Sequence, residues 1–458
     1  MSIFLAHRQL FTTAFREARA KEVICMATIF QHGSPTTVIN QEAKQAYIRE
    51  ILQNIKDAQQ KSPRKVLLLP PDITRYQSDA GMLTQLIYAE LSPTAQIDIM
   101  PTLGTHAPMT EQEIRSMFGA NIPLDRFKIH NWKQDVKIVG EISGDTIHKW
   151  SEGRLNYSMQ VGFNKLLFDG DYDLVLSIGQ IVPHEVVGMA NFTKNVCVGI
   201  GGADLINKSH FLGAAYGMER IMGRIDTPVR RVFDTAVSRY LGDMPIFFLM
   251  TVIGGQAGET VMRGLYCGDQ DGEAFRLAAE LSQQVNLDLL DAPLDKVVVY
   301  LNPKKFRSTW LGNKAIYRTR MVMADRGELI VLAPGLKEFG EDPDNDRLIR
   351  KYGYRGTPTT LQAVKEDADL RNHLGAAAHF IHGSSEGRFS ITYCPGAGMT
   401  QAEIESVGYR YASYNDMTRR YSPDTLKDGW NTLPDGERIF YVSDPALGLW
   451  ALRGNFSK

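Results

Sequence analysis

Short apolar runs alternate with helical patterns along the first part of the chain. The runs that predict strands are Val66–Leu69, Ile97–Met100, Leu174–Ile178 and Ile246–Val252. Between them, apolar side chains recur at helical spacing, as in Leu83–Leu91. Strands that alternate with helices form parallel or mixed sheets that are covered on both faces. The pattern therefore predicts an α/β domain.

Helix starts and a linker refine this picture. The sequence T-E-Q-E from Thr110 to Glu113 predicts a capping box that begins a helix. A patterned helix over Gly272–Val285 is followed by LDLLDAPLDK, in which Pro293 indicates a linker. We therefore place a domain boundary near Asp291.

A second set of elements follows the linker, and the segment Gly335–Gly356 is predicted to be a charged, glycine-rich loop that edges an interdomain cleft. The expected architecture is two α/β domains, 1–290 and 291–458, with mixed or parallel sheets and an active-site cleft between them. The predicted elements of the second domain are strand Val297–Leu301, helix Thr309–Met323, strand Leu329–Ala333, helix Leu370–Ile381, strand Phe389–Tyr393, helix Thr400–Val407 and strand Ile439–Val442.

Composition excludes several classes of protein. The 458 residues include 51 Lys and Arg against 52 Asp and Glu, so no long-range field favours nucleic acid or an anionic membrane. No uninterrupted apolar stretch is long enough to span a bilayer. The four cysteines form no C-x-x-C pair, which argues against a thiolate zinc site and predicts buried, inert thiols in a reducing cytoplasm.

Three predicted strands run directly into polar, ionisable residues, over Lys65–Arg75, Gln96–His106 and Asp173–Lys194. Loops at the carboxyl ends of strands form the ligand crevice of open α/β sheets. We therefore expect one pocket to contain Asp72, Arg75, His106, His184 and Lys194.

The turn Pro71–Arg75 suits an anion. Thr74 supplies a hydroxyl and Arg75 a bidentate fork for phosphate or carboxylate, while Asp72 caps the turn or orients Arg75. A plain surface turn with a local Asp–Arg pair fits the same pattern.

His184, Lys194 and His210 lie 10 and 16 residues apart, spacings that do not share one helical face. The glycine-rich break Gly199–Gly202 lies between them, so we expect them to meet as loop residues. The motif H-E-x-x-H is absent after His184, which removes the usual zinc protease interpretation. His379 and His382 are interpreted as cations at a helix end.

In the second domain, Trp310, Lys314 and Tyr317 are predicted to share one helical face, which suits a carboxylate substrate. A solvated amphipathic helix is the simpler interpretation of that pattern alone. The P-loop and dinucleotide-binding fingerprints are both absent.

Taken together, these pieces resemble the nickel-pincer-nucleotide lactate racemase family, the 2-hydroxyacid racemases and epimerases. The resemblance rests on PDITR (71–75), LGTHAPMTEQEI (103–114), VPHEVVGMANFTKN (182–195) with His210 downstream, and WLGNK (310–314). It implies an N-terminal cofactor-binding and catalytic domain and a C-terminal domain that closes over the substrate.

The resemblance also implies how the cofactor is held. Lys194 matches the lysine that carries the pyridinium-based nucleotide through a thioamide, and His210 matches the histidine that completes square-planar nickel. Asp72, Thr74 and Arg75 match the turn near the cofactor phosphate and the substrate. Separate cofactor-biosynthesis proteins are the implied partners.

The implied chemistry is inversion at C2 by reversible hydride transfer. His106 and His184 match the two acid/base histidines, and imidazole suits this role because its pKa lies near neutrality. Lys314 matches a lysine that contacts the substrate carboxylate, with Arg75 and Trp310 as further substrate contacts.

The sequence departs from the family pattern at two points. Leu311 follows Trp310 where lactate-specific members are expected to have a polar residue, and N-F-T-K stands where G-G-x-K commonly precedes the lysine. We therefore expect a 2-hydroxy acid larger than lactate, such as an aldonate, with Asn313, Arg307 and Arg318 available for extra hydroxyls.

Two other functions remain open at this stage. One is a zinc-dependent hydrolase or lyase with His106, His184 and His210 as ligands. The other is a non-catalytic paralogue that binds a ligand, although two candidate bases argue against a pure binder.

Overall fold

The computed structural model describes residues 28–256, 259–446 and 448–456. Within them Cys197, Cys267 and Cys394 are buried free thiols whose pKa values are raised by burial, as the inert role predicts. Cys25 lies outside the described residues. None of the described helices combines the length and apolar composition that crossing a membrane requires.

The first six-stranded sheet has apolar cores on both faces. Its four parallel strands stand in the order Ile246–Gln256, Leu174–Gln180, Lys65–Leu69 and Gln96–Ile99. The chain thus moves to one side after Lys65–Leu69 and returns to the other side at Leu174–Gln180. Such a switch point opens a crevice at the carboxyl ends of these two strands. The antiparallel strands Thr28–Gly33 and Glu259–Gly268 complete the sheet.

Local sequence signals explain where the helices around this sheet begin. The Asn40 side chain accepts from the Ala43 N–H at 2.9 Å, and the predicted capping box of Thr110 and Glu113 is present. The helices are Gln41–Gln59, Ala80–Leu91, Glu111–Phe118, Gly144–Trp150, Leu166–Asp169, Thr193–Cys197, Ala203–Tyr216, Pro228–Tyr240 and Glu273–Asn286. A separate hairpin consists of Val136–Ile142 and Met159–Asn164.

The second six-stranded sheet is parallel except at one edge, and apolar clusters cover both of its faces. In sheet order its strands are Arg410–Tyr411, Ser390–Pro395, Met323–Ala333, Leu294–Tyr300, Arg438–Val442 and Gly429–Thr432. Its helices are Thr309–Gly312, Lys314–Thr319, Pro343–Tyr352, Thr357–Glu366, Ala368–Arg371, Leu374–His382, Gln401–Ser406 and Tyr414–Arg420. The α/β class with parallel and mixed sheets is confirmed.

The two sheets are joined by packing and by a small sheet. Strand Leu287–Leu290 pairs in parallel with the C-terminal strand Leu449–Leu452. Phe211 and Ala214, on the helix Ala203–Tyr216, belong to the core cluster of the second sheet. This helix therefore packs against both units. The proposed division at 290 and 291 stays a prediction.

Three predictions for the second unit are wrong, and the first concerns a helix. The helix Thr309–Met323 is two short helices broken at Asn313, and Met323 already begins a strand. The buried Asn313 carboxamide accepts hydrogen bonds from the hydroxyls of Tyr393 and Tyr409, contacts that no local pattern announces.

The predicted loop over 335–356 contains the helix Pro343–Tyr352. It begins where the Asp342 side chain caps the N–H of Asn345 and a proline takes the first helical position. The predicted helix Leu370–Ile381 is likewise two helices, Ala368–Arg371 and Leu374–His382.

Candidate active site

The carboxyl ends of the central strands are tied together by one buried amide. The Asn195 Nδ2 donates to the Leu69 carbonyl at 3.1 Å and to Ser177 Oγ at 2.9 Å, while its Oδ1 accepts from Thr102 Oγ1 at 2.9 Å. Asn195 lies on the short helix Thr193–Cys197, here called the Lys194 helix. Its cross-links hold that helix over three strand ends. No role was predicted for Asn195, because its partners are distant in the chain.

His106 is held by a buried carboxylate at the edge of this crevice. Its Nδ1 lies 2.6 Å from Asp72 Oδ2, and its side chain is 56% exposed. Burial raises the pKa of Asp72, but the hydrogen bonds and charge of His106 and the hydrogen bonds of Thr74 outweigh it, and the pKa is lowered. An ionised carboxylate only accepts, so Nδ1 donates, and in the neutral ring Nε2 presents a lone pair.

The turn after the strand Lys65–Leu69 acts as a cap. Asp72 Oδ1 accepts from the Thr74 N–H at 3.2 Å and from its hydroxyl at 2.5 Å. The alternative of a local Asp–Arg pair is wrong, because Asp72 pairs with His106. No described residue forms a hydrogen bond or ion pair with the Arg75 guanidinium, whose charge lowers the pKa values of Lys194 and Lys314. Its fork is available for an anion.

His184 is held in the opposite manner. It is 7% exposed, and its Nδ1 faces the backbone N–H of Val186 at 3.2 Å. An N–H only donates, so Nδ1 accepts and Nε2 carries the proton. Burial lowers the pKa of His184 well below the usual value, and the neighbouring charges of Lys194 and Arg75 act in the same direction. The imidazole is therefore neutral.

Lys194 and His210 lie on helices, so the expectation that they meet as loop residues is wrong. The helix Ala203–Tyr216, here called the His210 helix, packs on the turn that carries His184. A Cβ added at Gly213 would lie 2.6 Å from the Val186 carbonyl. This close approach, one turn after His210, places its ring beside the crevice.

The Lys194 amine and the His210 imidazole can both offer a nitrogen lone pair, the first to a covalent bond and the second to a metal. Burial and the charge of Arg75 lower the pKa of Lys194 to about 8. His210 Nδ1 donates to the Ile206 carbonyl at 2.7 Å, which leaves the lone pair on Nε2. Burial lowers the pKa of His210 to about 4. A neutral imidazole with its other nitrogen engaged is the usual state of a metal-ligating histidine.

The turn before Lys194 has a backbone that favours glycine. Asn191 and Phe192 have φ values of 62° and 56°. These are the positions at which the related sequences were expected to carry glycines. The buried Arg230 holds this turn by donating to the Met189 carbonyl at 2.6 Å and to Thr193 Oγ1 at 2.7 Å. Arg230 was not predicted, since nothing near it in sequence marks it.

Lys314 faces the crevice from the second unit, where burial and then the charge of Arg75 lower its pKa to about 8. Trp310 is stacked on His379, with ring centroids 4.1 Å apart. Tyr317 makes an edge contact with His382. The three residues predicted to share one face thus lie on two helices.

The interpretation of His379 and His382 as cations at a helix end is wrong. Both side chains are buried, at 8% and 4% exposure, and burial lowers their pKa values to about 3 and about 4. They are neutral rings that line the contact between the two units.

The described side chains fit a nickel-pincer nucleotide better than a three-histidine zinc site. Within residues 28–256, 259–446 and 448–456, no three His, Cys, Asp or Glu side chains are placed to hold a metal ion. His106, His184 and His210 therefore do not form the three-histidine zinc site. A nickel-pincer nucleotide asks the protein for one imidazole and one amine, and His210 and Lys194 match that donor set. The buried Asn191 carboxamide, whose Nδ2 and Oδ1 lack partners among the described residues, offers a further polar contact for a bound group.

The chain is similar to known proteins in one sequence domain and in its fold. Residues 20–220 match the model of the lactate racemase N-terminal domain. The fold is similar to a crystal structure of a Thermotoga maritima protein, with a TM-score of 0.76 and 22% identity over 92% of this chain and 99% of that one. It is also similar to the lactate racemase apoprotein from Thermoanaerobacterium thermosaccharolyticum, with a TM-score of 0.67 and 14% identity over 89% of this chain and 92% of that one.

No curated protein matches the chain. At these identities the two structures establish the fold alone. The predicted resemblance to the lactate racemase family is confirmed over residues 20–220, which match the N-terminal domain of that family.

Proposed function

We propose that this protein is an isomerase, a 2-hydroxyacid racemase or epimerase that uses a nickel-pincer nucleotide. One observation carries the proposal. Two imidazoles hold Nδ1 in opposite roles, His106 as a donor to Asp72 and His184 as an acceptor from Val186, in the crevice that also contains Lys194 and His210. Inversion at C2 requires a base for one hydroxyl orientation and an acid for the other.

The protein would hold the cofactor at two points. Lys194 would carry it covalently, and its lowered pKa of about 8 leaves more free amine near neutral pH to form that bond. His210 Nε2 would complete the nickel coordination. When bound, the group supplies a reversible hydride acceptor at C2 of the substrate. Cofactor-biosynthesis proteins would be the partners that provide it.

The side chains of the crevice would bind the substrate and move its proton. Arg75 and Lys314 would bind the carboxylate, beside Trp310. His106 Nε2 would accept the C2 hydroxyl proton of one epimer, and His184 Nε2–H would give a proton to the oxygen of the other. The proton gained by His106 would then pass back to His184 through solvent, which restores both rings. Burial between the two units would exclude water and retain the keto acid. The preferred substrate is larger than lactate, such as an aldonate.

Intact mass with nickel quantification tests this proposal. Protein produced together with the cofactor-biosynthesis proteins should carry an adduct and about one nickel per chain, expected from one imidazole donor. K194A should lose the adduct, whereas K208A, which removes a partly buried amine paired with Asp204 at 2.7 Å, should keep it. Two results would contradict the proposal. One is protein produced with the cofactor-biosynthesis proteins that carries no adduct. The other is protein that carries the adduct but is inactive on lactate, malate, phenyllactate and gluconate.

A further inference from the structure

Glu185 is a carboxylate that accepts no hydrogen bond from another described residue. It lies in a crevice whose cationic side chains, Arg75, Lys194 and Lys314, attract anions. Its side chain is 21% exposed and lies beside His184, the proposed acid. Apart from its own backbone N–H, no described residue donates a hydrogen bond to it.

Glu185 does not act as the orienting partner of His184. Its Oε2 lies 3.7 Å from His184 Nδ1, beyond hydrogen-bonding distance. That Nδ1 already accepts from the Val186 N–H and has no proton to donate. The arrangement therefore differs from the Asp72–His106 pair, and the carboxylate remains available to another donor.

The second unit faces Glu185 with polar atoms that also lack partners. Within the described residues, His382 Nε2 and Arg318 Nε are buried without a hydrogen bond, and both residues are 4% exposed. Arg318 is fixed from its other end, where NH1 donates to the Gly448 carbonyl at 3.2 Å. Burial raises the pKa of Glu185, but the Arg318 guanidinium opposes this effect, and the net pKa of the carboxyl is lowered. These side chains therefore lie within electrostatic range of one another.

Unpaired buried polar groups are costly, and substrate hydroxyls would satisfy them. A hydroxyl can donate to the carboxylate and accept from Arg318 or His382 at the same time. Lactate offers only a methyl group beyond C2 and would leave the carboxylate unpaired. A second substrate carboxylate, as in malate, would be repelled by Glu185.

We infer that Glu185, with His382 and Arg318 opposite, binds the hydroxyls beyond C2 and selects polyhydroxy 2-hydroxy acids over alkyl and dicarboxylic ones. This inference rests on the proposed function, because it assigns specificity to the same crevice. Glu185 is thereby a specificity-determining residue.

The test compares wild type, E185Q and the control E90Q, whose carboxylate pairs with Arg49 on the surface at 2.7 Å. Calorimetric affinities and kcat and KM are measured for gluconate, lactate and malate. E185Q should lower the ratio of gluconate to lactate affinity roughly tenfold or more, as expected for a lost charge-assisted hydrogen bond. The ratio of malate to lactate affinity should rise roughly threefold or more. H382Q should shift the gluconate ratio in the same direction as E185Q.

Two results would overturn the inference. One is an unchanged gluconate preference in E185Q with a wild-type melting temperature. The other is an equal fall of kcat for all three acids at constant KM, which would make Glu185 a residue that positions His184. Failure of the proposed function is distinguishable, since loaded wild type would then turn over none of the acids while calorimetry still reports which acid Glu185 favours.

Discussion

The two histidines of the crevice are held in opposite ways. His106 is half exposed and donates through Nδ1 to the Asp72 carboxylate. His184 is buried and accepts at Nδ1 from the Val186 N–H. In the neutral form of each ring, one hydrogen bond at Nδ1 thus decides whether Nε2 carries a lone pair or a proton. Two histidines of one crevice can therefore be given opposite roles by a single contact each.

The segments that carry them are also anchored differently. The His106 loop is fixed by the Asp72 pair and by the Gly104 N–H, which donates to the Gly199 carbonyl at 2.9 Å. The segment 183–194 is fixed by packing, with Phe192 stacked on Phe275 at 4.8 Å despite its positive φ. Strained backbone persists where the surroundings over-determine it, and such sites are often functional.

Removal of the His106 imidazole or of the His184 imidazole is expected to have the largest effect on activity. H106N and H184N should each lower kcat/KM by about 10²- to 10⁴-fold, the usual contribution of a general acid or base. Both directions of the reaction should fall by the same factor, because they cross the same transition state. Polarimetry on the loaded enzyme measures the effect.

The control for this pair is H148N, which removes an exposed ring far from the crevice. H106N and H184N should keep the Lys194 adduct, as intact mass would report. Wild-type turnover in either variant would contradict the acid/base assignment of that histidine.

D72N tests whether the Asp72 carboxylate gives His106 a different role from His184. The carboxamide keeps the size but removes the ionised acceptor that fixes the Nδ1–H tautomer. We expect kcat to fall about 10- to 100-fold, as for partners that orient a functional imidazole. The double variant D72N/H106N should be no slower than H106N, because the two act as a unit. Additive losses would show that Asp72 acts elsewhere.

The stability of the protein at acid pH tests whether burial keeps His184 neutral. The pKa of His184 is depressed in the folded chain below the usual 6.5. Below about pH 6.5 the unfolded chain binds the extra proton, so this contribution to stability is complete above that pH and declines as the pH falls. H184N should therefore lose less stability than wild type between pH 7 and pH 5, by at most about 2 kcal/mol. Denaturant unfolding at both pH values measures this, and an equal loss in both proteins would refute it.

N191G should have the smallest effect and the opposite sign. Glycine relieves the positive φ and removes a buried amide without partners among the described residues, for a gain of about 1 kcal/mol. N191A removes the amide but keeps the strained backbone, and should be less stable than N191G. Cofactor retention should weaken in both if the amide binds the cofactor. Lower stability of N191G than of wild type would show that Asn191 is satisfied in the folded protein.

Much of this site follows from local sequence because its residues come directly after strands. The periodicity of the apolar runs locates the strands, and Asp72, His106 and His184 follow three that lie side by side. Helix ends with a capping signal, such as Thr110, were equally predictable. The break at Asn313 was not, since tyrosines 80 and 96 positions away create it.

The sequence by itself determined the α/β alternation, the polar loops and the resemblance to the lactate racemase N-terminal domain, since these depend on spacing along the chain. Only the tertiary structure decided which nitrogen of each histidine carries a proton, that Asn195 and Arg230 hold the crevice, and that Glu185 lacks a donor. Protonation and pKa depend on burial and on partners brought together from distant segments. No pattern of neighbours in the chain encodes those distances.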